Sequence, residues 1–154
     1  MVKAVGRLSR VVLDTSVLVR GILSSRGPSG QILDSFFAGG FDLVLSLSIL
    51  TEVESVFRRR HIQARSSFVW EDSRDLLVAL LEASHVASGA YQVDFVRTDA
   101  KDNHIVSTAL EGGADYIVTE DARDLLSLKV IKVHGFSPIQ VVDAKAFLRR
   151  LRQP

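Results

Sequence analysis

Four carboxylates, Asp14, Glu52, Asp102 and Asp121, stand at junctions where the sequence changes from one structural period to another. Asp14 closes the β-branched run Arg10-Val-Val-Leu-Asp14 and precedes the helical pattern of Val17, Leu18, Gly21 and Ile22. Glu52 falls in or just after the first turn of a helix carrying Ile49, Leu50, Val53, Val56 and Phe57. Asp102 belongs to the acidic start of a helix through Ile105, Val106, Ala109 and Leu110, and Asp121 follows a buried strand from Tyr116 to Thr119. Singly, each has a modest explanation: Asp14 as an N-cap, Glu52 as a surface acid favoured by the helix macrodipole, Asp99 with Asp102 as an acidic variant of the capping box. Together they are harder to place. In an open parallel sheet, strand ends and helix starts share one edge, so these carboxylates converge and repel unless protons or cations intervene. Asp102 projects along the apolar stripe of its helix and faces the protein, where a carboxylate needs a partner.

A divalent cation is the economical partner. The chain has no cysteine, and its four histidines, His61, His85, His104 and His134, lack paired spacing and read as surface or packing residues. Ligands are therefore hard oxygens, which favour Mg²⁺ or Mn²⁺ over zinc. Such ions assist attack of water on a phosphodiester, the chemistry of a nuclease. No G-x-x-x-x-G-K-[ST] loop, G-x-S-x-G elbow, H-E-x-x-H helix or G-x-G-x-x-G fingerprint is present. Ser16 and Thr119 read as groups that orient acids or bind water. An aspartate-nucleophile phosphatase expects a second acid two residues after the first, but Asp14 is followed by Thr15 and Ser16. The basic run Arg58, Arg59, Arg60 and His61, with Arg65 beyond it, serves either as a solvated helix end or as a grip for phosphates. Arg149, Arg150 and Arg152 near the C-terminus have the same two readings.

The elements that position these groups follow from period and punctuation. Ile32, Leu33, Phe36 and Phe37 form a helix ended by Gly39-Gly40, as Gly112-Gly113 ends the later one. A strand is expected within Phe41 to Ser46, with Ser48 capping the next helix, and residues 48–83 read as a helical pair. His85 to Ala87 is a short strand, and 88–97 a loop. After Asp121 come a short helix through Leu125 and Leu126, a strand over 129–133, a strand over 139–142 or else a helix from Pro138, and a final helix capped by Asp143. This alternation predicts an α/β fold with a mainly parallel central sheet. With 154 residues and 47% hydrophobic composition, residues 1–154 are expected to form a single domain. The net charge of +1 does not by itself announce nucleic-acid binding, and no apolar run reaches membrane-spanning length. Met1 to Arg10 lacks the apolar core of a signal peptide, so a soluble cytoplasmic protein with no membrane partner is expected.

Four segments, in order, carry a resemblance: Val11-Val-Leu-Asp-Thr-Ser16, Ser46-Leu-Ser-Ile-Leu-Thr-Glu52, Asp99-Ala-Lys-Asp-Asn103, and Tyr116-Ile-Val-Thr-Glu-Asp121 with Asp124-Leu-Leu126 behind it. Over roughly residues 10–150 the chain resembles the PIN-domain family, especially its small prokaryotic toxin-type (VapC-like) ribonucleases. The resemblance implies a three-layer α/β/α sandwich, an acidic Mg²⁺ or Mn²⁺ site and cleavage of single-stranded RNA, in a type II toxin–antitoxin pair. By position, it makes Asp14, Glu52, Asp102 and Asp121 the catalytic and metal-binding quartet, with Asp14 and Asp102 the foremost ligands. Thr15, Ser16 and Thr119 become supporting residues, Asp99 is a further supporting candidate, and the basic run makes Arg58, Arg59, Arg60 and Arg65 candidate RNA contacts. It also implies a homodimer and a cognate antitoxin that covers the crevice. Ala100 departs from the pattern, where relatives often carry proline, and this affects the rigidity of the turn more than the chemistry. The competing expectation is a nucleic-acid-binding or scaffold protein that keeps the fold without turnover.

Overall fold

A strand buried on both faces reads as a continuous apolar run rather than an alternating one, and the centre of this protein is built that way. Val11, Val12 and Leu13 have no exposed surface, and neither do Leu43, Val44, Leu45, Ile117 and Val118 on the strands beside them. The computed structural model describes residues 6–65, 68–93 and 100–153. Among these the chain runs β1 (Arg10–Leu13), α1 (Thr15–Leu23), α2 (Pro28–Phe37), β2 (Asp42–Ser46), α3 (Leu47–Phe57), α4 (Arg60–Gln63), α5 (Trp70–Ala83) and β3 (His85–Ala87). It continues through α6 (Asn103–Glu111), β4 (Tyr116–Val118), β5 (Val130–Ile131), β6 (Ile139–Val142) and α7 (Ala144–Arg152), with 3-10 turns at Ala100–Asp102 and Leu126–Leu128.

The strands form one six-stranded sheet in the order β3-β2-β1-β4-β6-β5. All pairs are parallel except β5 with β6. Successive crossovers from β1 run first to β2 and β3, then return across the sheet to β4 and β6. Right-handed connections therefore put α1 to α5 on one face and α6 on the other. Packing agrees: α1 lies against α2, α3 and α5, α2 against α7, and α6 against β1, β2 and β4. This is the three-layer α/β/α arrangement with a mainly parallel sheet. The direction of travel reverses between β1 and β4, and their carboxyl ends open a crevice at that switch point.

Local details differ from the sequence reading where tertiary contacts intervene. Ser46, not Ser48, caps α3: its Oγ accepts from the Ile49 amide at 3.3 Å, because β2 passes into the helix without a loop. Residues 48–83 hold three helices rather than a pair, since Arg59 takes an extended backbone and breaks the chain before α4. The strand expected over 129–133 shrinks to Val130–Ile131, and 139–142 is a strand rather than part of a helix from Pro138. The short helix after Asp121 is a turn followed by the 3-10 segment. Gly39 (φ 83°) and Gly113 (φ 64°) take the left-handed conformation that ends α2 and α6, as the paired glycines imply. Asp99 and the later part of the 88–97 loop lie outside the described residues. No described helix is long and apolar enough to cross a membrane.

Ile117 sits on a central strand with no exposed surface. Ile117→Ala is expected to cost about 2–5 kcal/mol in urea unfolding, against about 0.5 kcal/mol or less for Glu82→Ala on the exposed face of α5.

Candidate metal centre

Register alone brings the first acid to the edge. Leu13 pairs with Val118, and Val118 with Val142, so the residues that follow β1 and β4 emerge side by side. The Asp14 amide donates to the Val118 carbonyl at 2.9 Å, and the Thr119 amide to the Val142 carbonyl at 3.0 Å. Fully buried Thr119 then donates its hydroxyl to Asp14 Oδ2 at 2.7 Å and accepts the Asp121 amide at 3.0 Å. The other Asp14 oxygen accepts the Thr15 amide at 2.7 Å, so Asp14 does cap α1 while its carboxylate faces the crevice. Thr15 is buried and its hydroxyl has no hydrogen-bond partner among the described residues. Ser16 is exposed on the crevice wall.

Asp102 arrives from the opposite face of the sheet, at the end of the 3-10 turn that leads into α6. It makes no side-chain cap, is only 7% exposed, and its Oδ2 finds no hydrogen-bond partner among the described residues. One carboxylate oxygen each from Asp102, Asp121 and Asp124 lies within 4.8 Å of the others. Asp121 is fixed by its own turn, Oδ1 accepting the amides of Arg123 at 3.2 Å and Asp124 at 3.3 Å. Glu52 reaches the same crevice from α3, and its Oε2 meets His104 Nε2 at 2.7 Å. The far nitrogen of that imidazole, Nδ1, lies 3.3 Å from Ser48 Oγ. The sequence placed the four acids but passed over two residues. Asp124 stands three positions after Asp121, a spacing that a turn closes. His104, read as a surface or packing residue, lies off the apolar stripe, and nothing in its spacing points to the Glu52 pairing that the fold gives it.

The electrostatics follow from this crowding. Burial, the largest cause, raises the Asp14 carboxyl above its ordinary value; the Thr119 and Thr15 hydrogen bonds oppose the rise, and Glu52 and Asp121 add to it. Asp102 is pushed up to about 6, first by burial and then by Asp14 and Asp121, with Lys101 working in the other direction. A buried, unpartnered carboxylate oxygen among further acids fits a hard cation bound by oxygen ligands, and no soft ligand is at hand. Asp14, Glu52, Asp102, Asp121 and Asp124 are the residues that would hold it.

The crevice encloses about 550 Å³, and basic groups rim it: Arg20, Arg59, His61, Arg65 and Lys101. Not all of the basic candidates join them. Arg58 is tied to Glu54 one turn back on the helix surface, and Arg60 is outside the crevice wall. Arg150 stacks over Tyr116, 5.3 Å from the ring centroid, and donates to its hydroxyl at 3.2 Å. Tyr116 begins β4, so α7, running back from β6, carries this arginine to the edge of the sheet opposite the crevice.

Residues 10–123 match the family model of the PIN domain. Among solved structures, the chain is similar to VapBC2 from Rickettsia felis, crystallised with a DNA fragment from its promoter. The TM-score is 0.50 at 15% sequence identity, covering 74% of this chain and 89% of that one. No curated protein matches the sequence.

The raised Asp102 value sets a sign for stability. Between the unfolded value of 3.8 and the folded value of about 6, the folded protein holds the extra proton, so stability falls as pH rises through that window. In buffer stripped of divalent ions, Asp102→Asn is expected to raise the melting temperature by a few degrees at pH 7.5, leave it nearly unchanged near pH 3.5, and flatten the slope between. Calorimetric scans across pH read this directly.

Proposed function

The chain belongs to the PIN domain family, and on that footing we propose that it is a metal-dependent endoribonuclease that cleaves single-stranded RNA. The observation that carries this reading is the convergence of Asp14, Glu52, Asp102, Asp121 and Asp124 at the switch point, with Asp102 Oδ2 buried and without a partner among the described residues. Mg²⁺ or Mn²⁺ bound there would supply charge neutralisation and a lowered pKa for the attacking water.

The chain's own groups do the rest. Thr119 and the Thr15 amide hold the Asp14 carboxylate in one orientation, the Arg123 and Asp124 amides do the same for Asp121, and His104 does so for Glu52. Ligands held this way need no reorganisation during the reaction. Arg59 and Arg65 line the crevice, make no ion pair among the described residues, and on this reading would grip phosphates flanking the scissile one. At neutral pH Asp102 is ionised and available; in mild acid its proton competes with the metal.

The same reading makes the chain the toxin of a two-gene pair, working as a homodimer in the cytoplasm until a cognate antitoxin covers the acidic crevice. The similarity in fold to VapBC2 from Rickettsia felis, bound to a DNA fragment from its promoter, supports the antitoxin partner.

Labelled single-stranded RNA incubated with Mn²⁺ tests the chemistry: the wild-type protein is expected to cleave it, EDTA to stop cleavage, and Asp102→Asn to lower the rate by at least about 100-fold. Equal cleavage by both proteins would remove the proposed site, and metal binding without cleavage by either would leave a binding protein. Asp124→Asn is expected to weaken Mn²⁺ about tenfold by calorimetry. Arg59→Ala and Arg65→Ala should each reduce the salt slope of RNA binding by about one, with Arg58→Ala as the unchanged control.

A further inference from the structure

A second cavity, of about 590 Å³, begins beside the acid crevice at the ends of β2 and β3 and the first turns of α3 and α6, and runs along α6 to Glu111 in its last turn, where Tyr91 lies. The Glu52–His104 pair divides the two: Glu52 lines the crevice, His104 lines the cavity, and they meet at 2.7 Å. Their linings differ in charge. Arginine and lysine rim the crevice, whereas neither residue type lines the cavity among the described residues. Its walls are hydroxyls of Ser48, Ser107 and Thr108, the Gln92 amide, the Tyr91 ring and Leu47, which is 74% exposed.

This wall is preorganised. The Glu111 carboxylate accepts the amides of Gly89 at 3.1 Å and Tyr91 at 3.0 Å and the Ser88 hydroxyl at 3.0 Å. Ser107 Oγ accepts the Val93 amide at 2.8 Å, tying the other end of the loop to α6. The Tyr91 ring leans on Phe136, centroids 5.3 Å apart and tilted by 54°, and still leaves 37% of the residue exposed. A site with no arginine or lysine among its described lining residues, carrying the Glu111 carboxylate and offering the aromatic face of Tyr91 beside Ser48 and Gln92, does not favour phosphate. It suits a flat, uncharged heteroaromatic ring with polar edges. We propose that the cavity is a nucleobase subsite, which takes a base of the same strand beyond the phosphate held over the acid crevice and stacks it on Tyr91 at the far end of α6. The inference rests on the ribonuclease reading above, and it makes the cavity the place where the enzyme discriminates among RNA sequences.

The test uses the full chain carrying Asp102→Asn, so that bound RNA survives. Single-stranded oligoribonucleotides bearing 5-iodouridine at successive positions are bound with Mn²⁺, irradiated, and the crosslinked peptide is mapped. One position is expected to crosslink to Tyr91 or its 88–93 loop. Adding Tyr91→Ala should weaken binding about tenfold, a loss absent when the base at that position is removed from the strand, while Tyr91→Phe restores it. The salt slope should stay unchanged in Tyr91→Ala but fall in Arg65→Ala, and matched melting curves exclude a folding defect. RNA bound equally by all Tyr91 variants, with crosslinks elsewhere, would overturn the subsite and leave the ribonuclease reading standing. RNA bound by none of the proteins would overturn the ribonuclease reading, and the subsite with it.

Discussion

Mutual repulsion among carboxylates at the carboxyl edge of the sheet is the constraint to which the rest of this structure answers. Asp14, Asp102 and Asp121 interact unfavourably, and burial compounds the effect, so the folded chain binds a proton at Asp102 near pH 6. A fold tolerates such a cluster only if the scaffold beneath it is strong. Here that scaffold is a run of strands whose side chains are fully enclosed by helices on both faces. Apolar burial in the sheet offsets the electrostatic cost above it, and a cation removes that cost when bound.

The opposite edge of the same sheet shows what an acid does when it has no such task. Asp115, just before β4, accepts two guanidinium N–H bonds from Arg7 at 2.9 and 3.1 Å and the Arg10 amide at 2.9 Å. Arg10 in turn donates to the Gly112 carbonyl. Those charges are matched locally, as surface ion pairs usually are. At the carboxyl edge, arginines and a lysine stand around the rim, while the carboxylates face inward with threonine hydroxyls and backbone amides for company. The separation of the two signs gives the crevice its character.

Several side chains serve fold and site together. Asp14 caps α1 through one oxygen and presents the other to Thr119 and the crevice. Glu120 accepts the Ala144 amide at the start of α7 and also lines the crevice. Ser46 ends β2, caps α3 and accepts from Thr108, a bond that ties α3 to α6 across the layers. The capping explanations for the acids and the functional ones are therefore not rivals, because a carboxylate has two oxygens and several lone pairs to divide between them.

Strand and helix periods, paired glycines after α2 and α6, and acids at β-to-α junctions were legible in the chain because they depend on near neighbours and on the pattern of apolar residues. From these came the parallel sheet and the convergence of four acids on one edge. The cap at Ser46 rather than Ser48, the break before α4 and the short β5 strand were less legible, since helix ends and edge strands are set by what packs against them. Asp124 lay within reach, three residues from Asp121, but its membership in the cluster depends on how the turn after β4 closes. His104 lay outside it altogether: a histidine on the polar flank of α6 meets Glu52 on α3 only because β2 and α6 bring those two helix starts together. The chain by itself determined which chemical groups are present and which edge they share; tertiary structure decided which of them touch, because contacts between distant residues depend on strand order and crossover hand rather than on spacing in the sequence.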